Sequence, residues 1–139
     1  MGVDSFLDTN VFVYAATGRG AEESKRKRAL ELIEREDFGL SAQVLEEFYV
    51  TVTRKVERPL SAERALEWLE QLECFPCLAI DAALVKAAAV ISERHRISFW
   101  DGAVLAAAEA LGAKTLYTED LNSGQRYGSI RARNPFRLD

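Results

Sequence analysis

The sequence has little of several residue types on which common catalytic mechanisms depend. Its 139 residues include one histidine, two cysteines and three prolines. A Ser–His or Cys–His hydrolase would therefore depend on His95 alone, which lies between Arg94 and Arg96 in a charged segment. No glycine-rich phosphate-binding motif is present, so the sequence does not indicate a reaction that uses ATP or a dinucleotide.

Long apolar runs and targeting signals are also missing. No run approaches the roughly 18 residues of a membrane span, and the N-terminus lacks the basic and apolar regions of a secretory signal. We therefore expect no membrane and a cytoplasmic location. Cys74 and Cys77 form a C-x-x-C without a second Cys or His pair to complete a zinc site, so we interpret them as packing residues.

Acidic residues outnumber basic ones, 22 against 18, for a net charge of −4. This balance argues against a protein that holds nucleic acid by bulk positive charge. It leaves open a nuclease whose acidic site recruits divalent cations. The length and the absence of a linker or repeat predict one domain over residues 1–139.

Short apolar runs alternate with helical patterns along the chain. The predicted strands cover residues 3–7, 38–40, 75–80, 115–118 and 128–133. The predicted helices cover 24–36, a segment capped by Ser41, 61–73, and segments that begin at Asp81 and Asp101, with Gly112 as the last stop. Helical spacing predicts inward faces that include Ala29, Leu30, Leu32 and Ile33, then Leu66, Leu69 and Leu72, then Leu84, Val85, Ala88 and Ile91. This alternation indicates an α/β fold with a parallel sheet between helices.

Carboxylates follow several predicted strands, at the edge where such sheets bind ligands. They are Asp8, Glu46, Glu47, Asp101, Glu119 and Asp120. Each Asp could be only a helix N-cap. Two carboxylates about 5 Å apart repel by roughly 3 kcal/mol at an effective dielectric of about 20, so a cluster favours a hard cation such as Mg²⁺ or Mn²⁺. Phosphodiester hydrolysis is the simplest chemistry for such a site.

Four sequence blocks occur in an order that resembles the PIN-domain family, in particular the VapC-like toxins of toxin–antitoxin pairs. The blocks are FLDTNV at 6–11, SAQVLEEF at 41–48, FWDGA at 99–103 and YTEDL at 117–121. The resemblance implies a three-layer α/β/α domain with a central parallel sheet of about five strands. It also implies a metal-dependent endoribonuclease that hydrolyses RNA phosphodiester bonds.

The resemblance assigns both catalysis and Mg²⁺ or Mn²⁺ binding to four acids, namely Asp8, Glu47, Asp101 and Asp120. Glu119 is an alternative to Asp120 as the fourth acid. Side chains that would support the acids or a bound water are Thr9, Asn10, Thr118 and Glu119. Basic residues should flank an acidic cleft that receives RNA, and the candidates are Lys25, Arg28 and Arg126, although a basic run is usually a solvated helix face.

Partners and competing functions follow from the same resemblance. The family implies a homodimer and a small antitoxin that covers the site with a basic or aromatic side chain. The alternative function is a catalytically idle PIN-like module that binds RNA or protein. A phosphatase of the haloacid dehalogenase type fits less well, because it would need a second Asp where this chain has Asn10. A phospho-receiver would need a Lys after a later strand, whereas Lys114 precedes one.

Overall fold

The computed structural model describes residues 2–137 and contains one mixed sheet. Its strands are β1 Ser5–Leu7, β2 Phe38–Ser41, β3 Cys77–Leu78, β4 Thr115–Tyr117, β5 Arg126–Tyr127 and β6 Ile130–Arg133. They lie in the order β3-β2-β1-β4-β6-β5, with β5 antiparallel to β6 and every other neighbouring pair parallel. The α/β prediction with five parallel strands is confirmed, and the short sixth strand was not predicted. Met1, Leu138 and Asp139 of the predicted domain lie outside the described residues.

Six helices accompany the sheet. They are α1 Thr9–Thr17, α2 Glu23–Arg35, α3 Ala42–Val50, α4 Ala62–Leu72, α5 Ala82–His95 and α6 Phe99–Ala110. A 3-10 turn at Gly20–Glu22 precedes α2, and a π-helical turn at Thr51–Lys55 continues α3. None of the helices in residues 2–137 is long and apolar enough to cross a membrane.

The helix caps follow the sequence predictions at three of four starts. The side chains of Ser41, Ser61 and Asp81 each accept a hydrogen bond from the backbone N–H three residues later. The prediction that Asp101 begins its helix is wrong. Ser98 is the N-cap of α6, and its hydroxyl accepts from the Asp101 N–H at 3.0 Å, so Asp101 lies within the first turn.

Three of the predicted inward-facing residues are wrong. Leu30, Leu66 and Val85 are 37%, 52% and 45% exposed. In α2 and α4 the buried stripes run through Ala29 and Leu32 and through Ala65 and Leu72. Because successive helical residues point about 100° apart, the side chain next to each buried alanine turns to solvent. The small residue, not the large one, sets the phase of these two helices.

The topology brings the ends of β1 and β4 together. β1 lies between β2 and β4, and all three of its residues are buried, as expected for a central parallel strand. The chain changes from one side of β1 to the other between β3 and β4, which creates a crevice at the carboxyl ends of the strands. Gly102 brings α6 against α5, because a Cβ there would lie 2.7 Å from the Ala88 carbonyl oxygen.

Candidate active site

Asp8 is the buried centre of the candidate site. It follows β1, is 4% exposed and caps α1. Its Oδ1 accepts from the Thr9 N–H at 2.7 Å, and its Oδ2 accepts from the Thr118 hydroxyl at 2.7 Å. Burial raises the pKa of Asp8 to about 7, opposed by these two hydrogen bonds and reinforced by the negative charges of Asp120 and Glu47. The carboxyl is therefore held at a place where its charge is costly.

Glu47 and Asp101 reach the site from α3 and α6. The Thr9 hydroxyl donates to Glu47 Oε1 at 3.0 Å, which joins the second acid to the turn that carries the first. One helical turn before Glu47, the buried Gln43 side chain donates to the Trp100 carbonyl oxygen at 3.3 Å. The face of α3 that bears Glu47 is thus tied to the first turn of α6, next to Asp101.

Asp120 follows β4 and is oriented by Thr118. The Thr118 hydroxyl accepts from the Asp120 N–H at 3.0 Å while it donates to Asp8, so one hydroxyl organises two of the acids. Burial raises the pKa of Asp120, and the charges of Asp101, Glu119 and Glu47 raise it further. Asp101 therefore lies near Asp120, although it does not line the cleft itself.

Glu119, the alternative fourth acid, has both oxygens engaged. Its Oε1 accepts from the Tyr14 hydroxyl and its Oε2 from Lys25 Nζ, each at 2.8 Å. Lys25 Nζ also lies 4.8 Å from the centroid of the Tyr14 ring, which packs edge-on against Phe136. These contacts raise the pKa of Lys25, with the hydrogen bond to Glu119 as the largest cause.

The acids line an open cleft of about 350 Å³. Within residues 2–137 its lining has five carboxylates and no lysine or arginine: Asp8, Glu22, Glu47, Glu119 and Asp120. Asn10 also lines it, and its buried Oδ1 has no hydrogen-bond partner in the described part of the chain. Unlike the buried amides that are usually satisfied, this oxygen is left as a free donor of a lone pair.

The donor chemistry fits a hard divalent cation, although the acids are not gathered into a finished site. In the described segment, no three Asp, Glu, His or Cys side chains are already arranged to hold a metal ion. All of the candidate ligands offer oxygen only, as Mg²⁺ and Mn²⁺ prefer. The raised pKa values of Asp8 and Asp120 and the unpartnered Asn10 oxygen are what an oxygen site for a cation leaves behind.

The other residues singled out in the sequence lie in varied places. Lys25 borders the cleft with its ammonium held by Glu119, whereas the Arg28 side chain donates to the Pro135 carbonyl oxygen at 3.1 Å. Arg126 is exposed in β5, the last strand of the sheet order. His95 packs edge-on against Tyr127. Cys77 packs against the core, but the packing interpretation is wrong for Cys74, which is exposed.

Tyr14 is the site residue that the sequence predictions did not include. It lies on α1, lines the cleft and donates to Glu119. Burial raises the pKa of its phenol. Its signal in the sequence would have been the spacing from Asn10, since residues four apart share one face of a helix, but no helix was predicted at residues 9–17.

Comparisons with known proteins follow the same direction as the geometry. A family model for the PIN domain matches residues 5–126. Among solved structures, VapC20 from Mycobacterium tuberculosis, a sarcin–ricin-loop-cleaving toxin, is 20% identical over 92% of this chain and 99% of that chain, with a TM-score of 0.68. A toxin–antitoxin complex from Klebsiella pneumoniae is 16% identical over 97% of this chain and 100% of that chain, with a TM-score of 0.71.

A third similar structure is DNA-bound VapBC from Salmonella typhimurium. It is 21% identical over 94% of this chain and 97% of that chain, with a TM-score of 0.63. No curated protein matches the sequence closely enough to count as a relative. At these identities the solved structures establish likeness of fold.

Proposed function

Because this chain belongs to the PIN domain family, we propose that it is a divalent-metal-dependent endoribonuclease of the cytoplasm. The observation that carries the proposal is the buried Asp8 carboxyl, placed among further carboxylates at the crevice of the sheet. Such an arrangement is costly when the charges are uncompensated, and a bound cation removes the cost. The hydrolysis of a phosphodiester is the reaction that the donor set fits best.

Four acids would hold the cation, namely Asp8, Glu47, Asp101 and Asp120, with Mg²⁺ or Mn²⁺ as the ion. When bound, the ion would supply charge stabilisation at phosphate oxygens and a lowered pKa of water. Thr118 fixes Asp8 through its hydroxyl proton and fixes the Asp120 backbone through its oxygen. Thr9 holds Glu47 in the same way. These hydrogen bonds set the orientation of the acids before RNA arrives.

The direct test is cleavage of total cellular RNA by the purified protein with Mg²⁺ or Mn²⁺ and with EDTA. We expect cuts only with the metal, and none from Asp101→Asn prepared in parallel, which controls for a contaminating ribonuclease. Equal cleavage by both proteins would contradict the assignment of Asp101. A folded, metal-loaded protein that binds RNA but leaves the whole pool intact would favour the idle binding module.

We also propose that Asp120, and not Glu119, is the fourth acid. Both Glu119 oxygens already accept hydrogen bonds, whereas Asp120 faces the other carboxylates. Glu119→Gln removes a partly exposed ion pair, worth about 1 kcal/mol or less, so we expect the cleavage rate to stay within about fivefold of wild type. Asp120→Asn, compared in the same metal-dependent assay, should fall much further. Equal losses in both variants would assign Glu119 to the metal instead.

A small antitoxin and a second copy of the chain are the partners that we propose. Two of the similar structures are complexes of toxin with antitoxin by their descriptions, a toxin–antitoxin complex and VapBC. Large apolar side chains are exposed on α4, α5 and α6, at Leu66, Val85, Val90 and Trp100. Exposed apolar surface is typical of protein interfaces. Co-expression with the neighbouring reading frame, followed by size-exclusion chromatography with light scattering, would test both partners.

A further inference from the structure

A second cavity of about 720 Å³ adjoins the acidic cleft. The two share Thr17, Glu22 and Val56 as lining residues, so they form one continuous depression. The acidic cleft has no cation in its described lining, whereas the adjoining cavity has three. We call these three residues the basic shelf: Arg19, Lys55 and Arg58. Glu22 and Glu57 also line this cavity, which leaves its charge positive.

The basic shelf is accessible and its cations are not consumed by ion pairs. All three side chains are exposed, and none forms a salt bridge within the described residues 2–137. Arg19 lies near Glu23, but that carboxylate is already bound by Arg26 at 2.7 Å. By contrast, Lys25 and Arg28, which the sequence suggested for RNA contact, are engaged by Glu119 and by the Pro135 carbonyl oxygen.

The helices that carry the acids also carry the shelf. α1 begins at Asp8 and ends just before Arg19, a distance of about 15 Å along the helix axis. α3 carries Glu47 and continues into the π-helical turn that ends at Lys55. The shelf is therefore fixed relative to the acids by rigid elements. A strand whose phosphate reached the acids would pass its neighbouring phosphates over the shelf.

We propose that the basic shelf binds the phosphodiester backbone of single-stranded RNA beside the phosphate that is cleaved. This inference rests on the proposed nuclease function and names the substrate path of the same site. Five carboxylates repel a polyanion, so the attraction must come from cations outside the cleft. Arginine side chains match the geometry of phosphate oxygens by a paired set of N–H donors.

The test measures binding, not cleavage, with a short fluorescein-labelled single-stranded RNA of mixed sequence and fluorescence anisotropy in EDTA. The shelf variant is Arg19→Gln, Lys55→Gln and Arg58→Gln combined. The control carries Lys86→Gln, Arg94→Gln and Lys114→Gln, which are exposed and remain outside both cavities. The two variants have the same net charge, so a difference between them reports position.

We expect the slope of log affinity against log salt to fall by about 2 in the shelf variant, from about 0.7 per lost phosphate contact on a single strand. Wild type should then lose about 20-fold more affinity than the shelf variant between about 50 and 200 mM salt. The control should keep the wild-type slope. Circular dichroism of all three proteins would show that the folds are equal.

Three results would overturn the inference: no RNA binding by wild type, equal slopes for the shelf variant and wild type, or equal slopes for the shelf variant and the control. A fourth is an equal loss of affinity for a polyglutamate peptide, which would assign the shelf to an acidic protein segment. Cleavage of total RNA by wild type is scored separately. Cleavage with unchanged slopes rejects the shelf alone, whereas a reduced slope without any cleavage rejects the nuclease alone.

Discussion

Replacing Glu47 by Gln is expected to lower metal-dependent RNA cleavage by roughly 100- to 1,000-fold, because a cation site contributes several kcal/mol at about 1.4 kcal/mol per factor of ten. Glu47 lines the acidic cleft and accepts from the Thr9 hydroxyl. The amide keeps the shape and the acceptor oxygen but removes the charge. The loss should appear in single-turnover cleavage with Mn²⁺ and should not be recovered by more RNA.

The neighbouring residue offers a matched control for this substitution. Glu46 is also an exposed glutamate of α3, one position earlier, and it is not part of the cleft. Glu46→Gln changes the net charge and the helix by the same amount, so we expect a cleavage rate within about twofold of wild type, as for surface substitutions generally. If the two variants lose equal activity, general electrostatics and not a metal ligand is responsible.

The predicted strands and most helices matched the structure because their signals are local. Ser41, Ser61 and Asp81 each precede an apolar helical pattern, which is a start signal readable in a few residues. α1 was missed, since residues 9–17 are rich in β-branched and aromatic side chains and lack a polar stripe. Val11, Phe12 and Ala15 are buried there and their neighbours are half-buried against the core. A helix covered on several sides has no clear period for a sequence pattern to show.

The acids could be predicted as a group for a physical reason that does not need side-chain detail. Parallel strands end at one edge of the sheet, so the residue after each strand is delivered to that edge. The partners of the acids could not be predicted. Lys25 and Glu119 are 94 residues apart, and their pairing depends on how α2 lies beside the turn after β4. The same holds for Arg19, Lys55 and Arg58, which only the fold brings into one cavity.

The hydrogen bonds around Asp8 show how the chain keeps a carboxyl where burial opposes its charge. Thr118 and the Thr9 N–H both lower the pKa of Asp8, yet the net shift is upward because burial is the larger effect. The fold therefore holds the acid in position without fully stabilising its ionised form. A cation can supply the missing stabilisation, which ties metal affinity to the same feature that weakens the metal-free protein.

Asp8→Asn is accordingly expected to stabilise the metal-free protein above neutral pH. The pKa of Asp8 rises from 3.8 to about 7 on folding, so the folded state binds a proton more tightly than the unfolded state. Its contribution to stability is full below about pH 4 and is lost as the pH rises through about 7. A shift of about three pKa units corresponds to about 4 kcal/mol, and the hydrogen bond weakened by the amide returns about 1 kcal/mol of this.

Urea unfolding in EDTA at a series of pH values would measure the effect. The variant should exceed wild type by about 3 kcal/mol near pH 8, and the difference should disappear near pH 4. Asp81→Asn is the matched control, since Asp81 also caps a helix, accepts from the Leu84 N–H and is exposed. Asn caps helices as well as Asp does, so that change should stay within about 0.5 kcal/mol at every pH.

Mn²⁺ distinguishes a metal ligand from a buried helix cap in the same experiment. Binding to the folded state alone stabilises wild type in proportion to the logarithm of the ion concentration. Asp8→Asn should lose this response, so that excess Mn²⁺ narrows or reverses the order of stabilities seen in EDTA. If the variant is instead less stable at every pH and responds to Mn²⁺ as wild type does, Asp8 serves α1 as a cap and the metal assignment fails. Stability gained without the ion and lost with it is a combination that capping alone cannot produce.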